Sequence, residues 1–240
     1  MRAVPFDVRK PYKPVLERGH QASYLVARWL AQAGIRSVFH VGYANGRYLF
    51  YFSLLGITCG GTDLPSAETA WTEIPAGVLD AATLRRLLRV DFFDLTPSHV
   101  RTAWDGSATD VIDLLFSEAT FETILPWRQE GVSVPKYGAM DPQARRALMH
   151  ERFPAKLEEL KDSFRNMVFI EPEPSAGGAC TVFETCASRL PEHAYSVWGF
   201  KPPLDSLFRL SPKHPTRQTV YAYIRDPAIL GALRTYAAPV

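Results

Sequence analysis

Residues 37–64 constrain this chain more than any other stretch. SVFHVGYANGRYLFYFSLLGITCGGTDL reads as a strand, a turn of small residues, a helix, and a second strand closed by an acid. The apolar run Val38-Phe39-His40-Val41 stops at Gly42, and a helical pattern begins near Arg47. The next strand-like run, Thr58 to Thr62, stops at Asp63, about 20 residues after the turn, as in nucleotide-binding crossovers. Small residues at the helix N-terminus let a ligand approach the backbone. A carboxylate at the end of the second strand accepts from ribose hydroxyls.

The rest of the chain divides by its punctuation. Residues 1–16 are rich in proline and charge and read as an extended arm, with Phe6 and Tyr12 as candidates to fold over a ligand. Arg18 to Gln32 follows as an amphipathic helix that stops at Gly34. Arg85 to Leu95 reads as the end of a helix and a third strand. Asp110 to Phe116 is mostly apolar, as a strand buried on both faces should be. The segment 122–142 carries Pro126, Trp127, Gly131, Pro135, Tyr137, Gly138 and Pro142. A loop this long is expected to be functional, and it is assigned to substrate selection. One long helix is expected from Pro142 to about Arg165, kinked at Pro154. Residues 175–218 mix helix signals with proline-rich loops and read as a second substrate-side insertion.

With 240 residues and a 47 % apolar fraction, the chain suits one α/β domain spanning 1–240, with 1–35 as arm and first helix. The net charge of +2 leaves no broad electrostatic footprint for nucleic acid. There is no apolar run of about 18 residues, so no membrane span is expected. Three cysteines, Cys59, Cys180 and Cys186, make no disulfide framework, which fits a cytoplasmic setting. No H-E-x-x-H or C-x-x-C motif points to a metal, and no G-x-S-x-G elbow points to a hydrolase.

A dinucleotide site usually presents G-x-G-x-x-G; here the spacing is His40-x-Gly42-x-Ala44-x-Gly46. It resembles the acid-x-Gly-x-Gly-x-Gly loop of class I S-adenosylmethionine-dependent methyltransferases. The likeness continues in family order through Asp63, VDFFDL (90–95), DVIDLLFSEATFETI (110–124), NMVFIEPEP (166–174) and TVYAYIRD (219–226). It implies a Rossmann-like methyltransferase fold with a mostly parallel seven-stranded sheet, helices on both faces and an antiparallel last strand. It also implies S-adenosylmethionine as cofactor. Compactness and near-neutral charge favour a small-molecule substrate over nucleic acid or another macromolecule; no membrane partner is expected, and a homodimer stays open.

By the same resemblance, the cofactor set is His40, Gly42, Tyr43, Ala44, Gly46, Asp63, Leu64, Asp91, Phe92 and Ser117. Asp63 would hold the ribose, and Asp91 with Phe92 would meet the adenine. Ser117 and Glu118, following the fourth strand, would border the reacting centre, with His193 as a further acid–base candidate. Glu122 and Glu184 are weaker ones. Trp127 and Tyr137 are the substrate-side candidates, because aromatic faces attract a sulfonium or ammonium. The lack of an Asn-Pro-Pro-Tyr motif argues against methylation of exocyclic amines on DNA bases or of protein glutamine.

Two positions depart from the pattern. His40 stands where the family has an acid, and Ala44 where it has a glycine. An alanine needing φ > 0 costs about 1 kcal/mol. His40 leaves the cofactor's ammonium without its usual charged partner. That suits a second reaction, attack of a neutral α-amine on the γ-carbon to give azetidine-2-carboxylate and methylthioadenosine. A third reading is a non-catalytic binding module that keeps the fold.

Overall fold

A computed structural model describes residues 14–65, 74, 77–104, 111–121, 124, 135–172, 178–208 and 218–240, without the side chains of 14–19, 135, 172 and 178–181. The N-terminal arm, Glu122 and Trp127 lie outside the described residues.

Eight described strands form one sheet: β1 (Ser37–Val41), β2 (Thr58–Thr62), β3 (Leu87–Leu88), β4 (Ile112–Glu118), β5 (Phe164–Pro172), β6 (Ala194–Phe200), β7 (Gln218–Ile224) and β8 (Ala237–Pro239). Their order is β3-β2-β1-β4-β5-β7-β6-β8. Pairing is parallel from β3 to β5 and antiparallel from β5 through β7 and β6 to β8. This is the Rossmann-like arrangement that the resemblance implies, extended by the short edge strand β8. Chain order reverses between β1 and β4, which opens a crevice beyond their carboxyl ends.

Helices cover both faces: α1 (Pro14–Gln32), α2 (Arg47–Leu54), α3 (Ala81–Arg85), α4 (Pro97–Ala103), α5 (Pro135–Gly138), α6 (Pro142–Ala147), α7 (Phe153–Leu160), α8 (Gly178–Arg189), α9 (Leu204–Phe208) and α10 (Pro227–Tyr236). Alternation along the strands sorts the core into two layers. Val38, Leu114, Phe116, Val168 and Ile170 pack with α1, α2, α9 and α10, around the fully buried Trp29 and Phe52. Phe39, Leu115, Met167 and Phe169 pack with α4, α7 and α8, around Phe153 and Phe183. No helix among the described residues is long and apolar enough to cross a membrane.

Four expectations are corrected. The fourth strand runs two residues later than expected, so Ser117 and Glu118 belong to it and point to opposite faces. The third strand is only two residues long. The expected long helix ends at Leu160 and contains a π-helical turn over Leu148–Arg152. Pro154 has no N–H to donate back into the preceding turn, and the wider turn accommodates that loss. Residues 178–200 are not an insertion. α8 buries Val182, Phe183 and Cys186, and β6 is held between β7 and β8.

Candidate functional site

The turn after β1 is built from alternating left-handed residues: Gly42 at φ 71°, Ala44 at φ 47° and Gly46 at φ 77°. The turn is fixed by its own N–H groups: Gly42 donates to the Thr62 carbonyl at 2.8 Å, Ala44 to Asp63 Oδ2 at 2.6 Å and Gly46 to the Tyr43 carbonyl at 2.8 Å. Gly46 is also the N-cap of α2 and has no side chain to cap it; the neighbouring Asn45 does so instead, its Oδ1 accepting from the Arg47 N–H at 3.3 Å. Gly42 cannot carry a side chain, since a β-carbon there would lie 2.4 Å from Thr120 Oγ1. Replacing Ala44 by glycine relieves about 1–2 kcal/mol of left-handed strain against 0.4–1 kcal/mol of added unfolded-state entropy. Ala44→Gly is therefore expected to stabilise the fold by about 0.5–1 kcal/mol in urea titration; a loss of stability would contradict the strain.

Asp63 follows β2 and reaches back to this turn. Its Oδ2 accepts from the Ala44 N–H at 2.6 Å and its Oδ1 from the Leu64 N–H at 2.8 Å. Burial pushes its carboxyl above the usual aspartate range, while the two N–H groups and Arg89 pull the other way. Each oxygen keeps a further lone pair for a ligand hydroxyl. Tyr43 reaches to the same Leu88 carbonyl that accepts from the Asp63 N–H at 3.2 Å. Its hydroxyl donates to the Leu88 carbonyl at 3.3 Å, the Arg89 guanidinium lies over its ring, and burial raises its pKa to about 12.

On the α2 side stands a polar group. Glu118 Oε2 lies 3.3 Å from Arg47 Nη2, and the Arg47 guanidinium sits over the Tyr48 ring. Burial raises the Glu118 carboxyl, and Arg47 partly offsets this. His40 is buried edge-on to Tyr48 and against Phe116, and neither ring nitrogen has a hydrogen-bond partner. Burial, assisted by the Arg47 charge, lowers its pKa to about 3, so the ring is neutral.

That neutrality has a stability consequence. The unfolded chain protonates His40 near pH 6.5 while the folded chain resists until about 3. Its contribution is therefore complete above about pH 6.5 and drains as pH falls, at up to roughly 1.4 kcal/mol per pH unit. His40→Phe is expected to flatten the stability–pH curve by about one proton between pH 6.5 and 5; an unchanged slope would refute the assignment.

Ser117 lies on the other face, fully buried, with its Oγ donating to Glu171 Oε1 at 3.4 Å. Glu171 also accepts from the N–H groups of Thr120 (3.3 Å) and Phe121 (3.2 Å). The buried Glu171 thus shapes the exit of β4, where Ala119 is held at φ 52°. That exit rests on the glycine turn through Thr120 Oγ1, which donates to the Val41 carbonyl at 3.1 Å. Glu171 and Arg47 are not among the site residues expected from the sequence. An acid ending the apolar run NMVFIE was the available signal for the first; Arg47 had none beyond opening the helix.

At the far side of Asp63, Leu64 and Phe92 are buried beneath the edge of β2 and β3, with Phe92 against Phe121 at 5.2 Å. Asp91 is held by α5: Tyr137 donates its hydroxyl to the carboxylate at 2.9 Å, and Lys136 Nζ is 2.5 Å from Oδ2. Tyr137 is thus tied to Asp91 and is buried.

The structure does not bring His193 to this site. Its neighbour Ala194 pairs with Ile224, and Ile224 with Asn166 at the start of β5, whereas Glu118 pairs with Ile170. Four residues along a strand separate the two levels by about 13 Å. Burial, then the Arg225 charge, lowers the His193 pKa to about 4. Tyr195 packs on Tyr223; Trp198 lies level with Glu118, through Val220 and Ile170, but three strands away from β4, about 14 Å across the sheet. Among the described residues no group of three or more His, Cys, Asp or Glu could hold a metal ion.

No protein-family model and no curated protein sequence matches the chain. Similar solved structures include magnesium protoporphyrin IX methyltransferase from Synechocystis PCC 6803 with bound S-adenosylmethionine, at 10 % identity over 89 % of this chain and 85 % of that one, with a TM-score of 0.48. A human methyltransferase 10 domain containing protein matches at 12 % identity over 85 % and 82 %, TM-score 0.46. A SAM dependent methyltransferase from Archaeoglobus fulgidus matches at 13 % over 84 % and 93 %, TM-score 0.45.

Proposed function

We propose that the chain binds S-adenosylmethionine across the crevice between β1 and β4 and methylates a small molecule. The observation that carries this reading is Asp63: a carboxylate at the end of β2, fastened to the middle of a left-handed turn, with acceptor positions left for two ribose hydroxyls. When bound, the cofactor supplies a methyl group already activated by its sulfonium. The protein's work is then to hold the acceptor in line, exclude water and take up one proton. Glu118 is placed to accept that proton at the mouth of β4, and its raised carboxyl makes it a better base near neutrality. Arg47 steadies it. The near-neutral net charge gives a polyanionic acceptor no broad surface to grip.

One observation favours a second reading. A neutral His40 stands beneath the turn where an acid would keep the cofactor's amine protonated. An unprotonated α-amine is what intramolecular ring closure needs. Incubating the protein with S-adenosylmethionine alone, with products read by mass spectrometry, separates the two. Adenosylhomocysteine formed only when an acceptor is added supports methyl transfer; methylthioadenosine without any acceptor replaces it with ring closure.

A further inference from the structure

We propose that Lys136 and Tyr137 are affinity-setting residues that compete with the cofactor's base for Asp91, an inference that rests on the cofactor reading above. A carboxylate offers about four lone-pair positions. At Asp91, Oδ1 accepts from the Phe93 N–H and the Tyr137 hydroxyl, each at 3.0 Å. Oδ2 lies 2.9 Å from the same hydroxyl, whose single proton the two oxygens share, and 2.5 Å from the Lys136 ammonium. The Asp91 side chain is left only 4 % exposed.

The turn that delivers these donors is itself secured from behind. Arg145 Nη1 and the Met140 N–H both donate to the Tyr137 carbonyl, each at 3.2 Å. An exocyclic amine therefore finds Asp91 covered, with three donors already on its roughly four lone-pair positions. Asp91 accepts from a nucleoside only after Lys136 and Tyr137 let go, so the apparent affinity is the intrinsic one reduced by the fraction of molecules in which the contact is open. Tyr137, on this geometry, acts on the cofactor through Asp91 and is a positioning residue.

The test is calorimetry of the full chain with S-adenosylhomocysteine, on the wild type, Lys136→Met, Tyr137→Phe, Lys136→Arg and Asp91→Asn, each first shown to unfold cooperatively. Lys136→Met and Tyr137→Phe should each tighten binding by about three- to tenfold, through a larger open fraction. Lys136→Arg, which keeps the charge on Asp91, should stay near wild type, and Asp91→Asn should weaken binding. A merely structural role for these side chains would leave affinity unchanged or lower it in all four. Heat from the wild type with unchanged or weaker binding in both Lys136→Met and Tyr137→Phe overturns this proposal alone. No heat from the wild type overturns the cofactor reading and this proposal together.

Discussion

Asp63→Ala is expected to lower the affinity for S-adenosylhomocysteine by about a hundredfold. A hydrogen bond to a charged acceptor contributes roughly 1.5–3 kcal/mol, and the reading gives this carboxylate two ribose hydroxyls. Losing about 3 kcal/mol corresponds to about two decades in Kd. The variant also strips the Ala44 and Leu64 N–H groups of their acceptor, loosening the turn that the ligand would contact. Asp63→Asn keeps one acceptor oxygen and is expected to lose about tenfold. The pH dependence follows from the direction of the Asp63 shift. Burial raises this carboxyl, so as pH falls the affinity should decline earlier than an ordinary aspartate would dictate. Calorimetry across pH measures both effects. Binding by Asp63→Ala within threefold of wild type would remove the ribose role.

Glu118→Gln is expected to slow turnover by about two decades, within the usual range for a general base, while leaving adenosylhomocysteine affinity within a few-fold of wild type. Glutamine keeps the size of the side chain and one acceptor oxygen but takes up no proton. Arg47 provides an independent check, because its charge opposes the rise that burial imposes on Glu118. Removing that charge in Arg47→Met raises the carboxyl further. Since the deprotonated form acts as base, the acid limb of the pH–rate profile should move to higher pH. A limb that stays in place, or a Glu118→Gln variant with normal turnover, would exclude Glu118 as the proton acceptor.

What could be read in the sequence was what depends on neighbours in the chain. The first crossover is legible almost to the residue, since Gly42, Gly46 and the acid after Thr62 punctuate apolar runs that need no distant partner to make sense. Asp63 was legible for the same reason. β4 ends two residues later than its apolar run because Ser117 and Glu118 still pair with Phe169 and Ile170 of β5, and their side-chain partners, Glu171 and Arg47, stand 54 and 71 residues away. β6 is harder still: its alternation lies between Pro191 and Pro202-Pro203 and reads as loop until β7 and β8 close on either side. Tyr137 could be named as a functional aromatic, but its tie to Asp91, 46 residues upstream, appears only in the fold. His193 was misplaced because nothing local states which end of β6 faces the crevice.

The most direct measurement is a crystal structure of the chain with S-adenosylhomocysteine bound. Both ribose hydroxyls should lie within about 3.2 Å of the Asp63 carboxylate oxygens, with the nucleoside over the Gly42–Gly46 turn. A ribose touching neither oxygen, or a nucleoside bound at another edge of the sheet, would contradict the site described above.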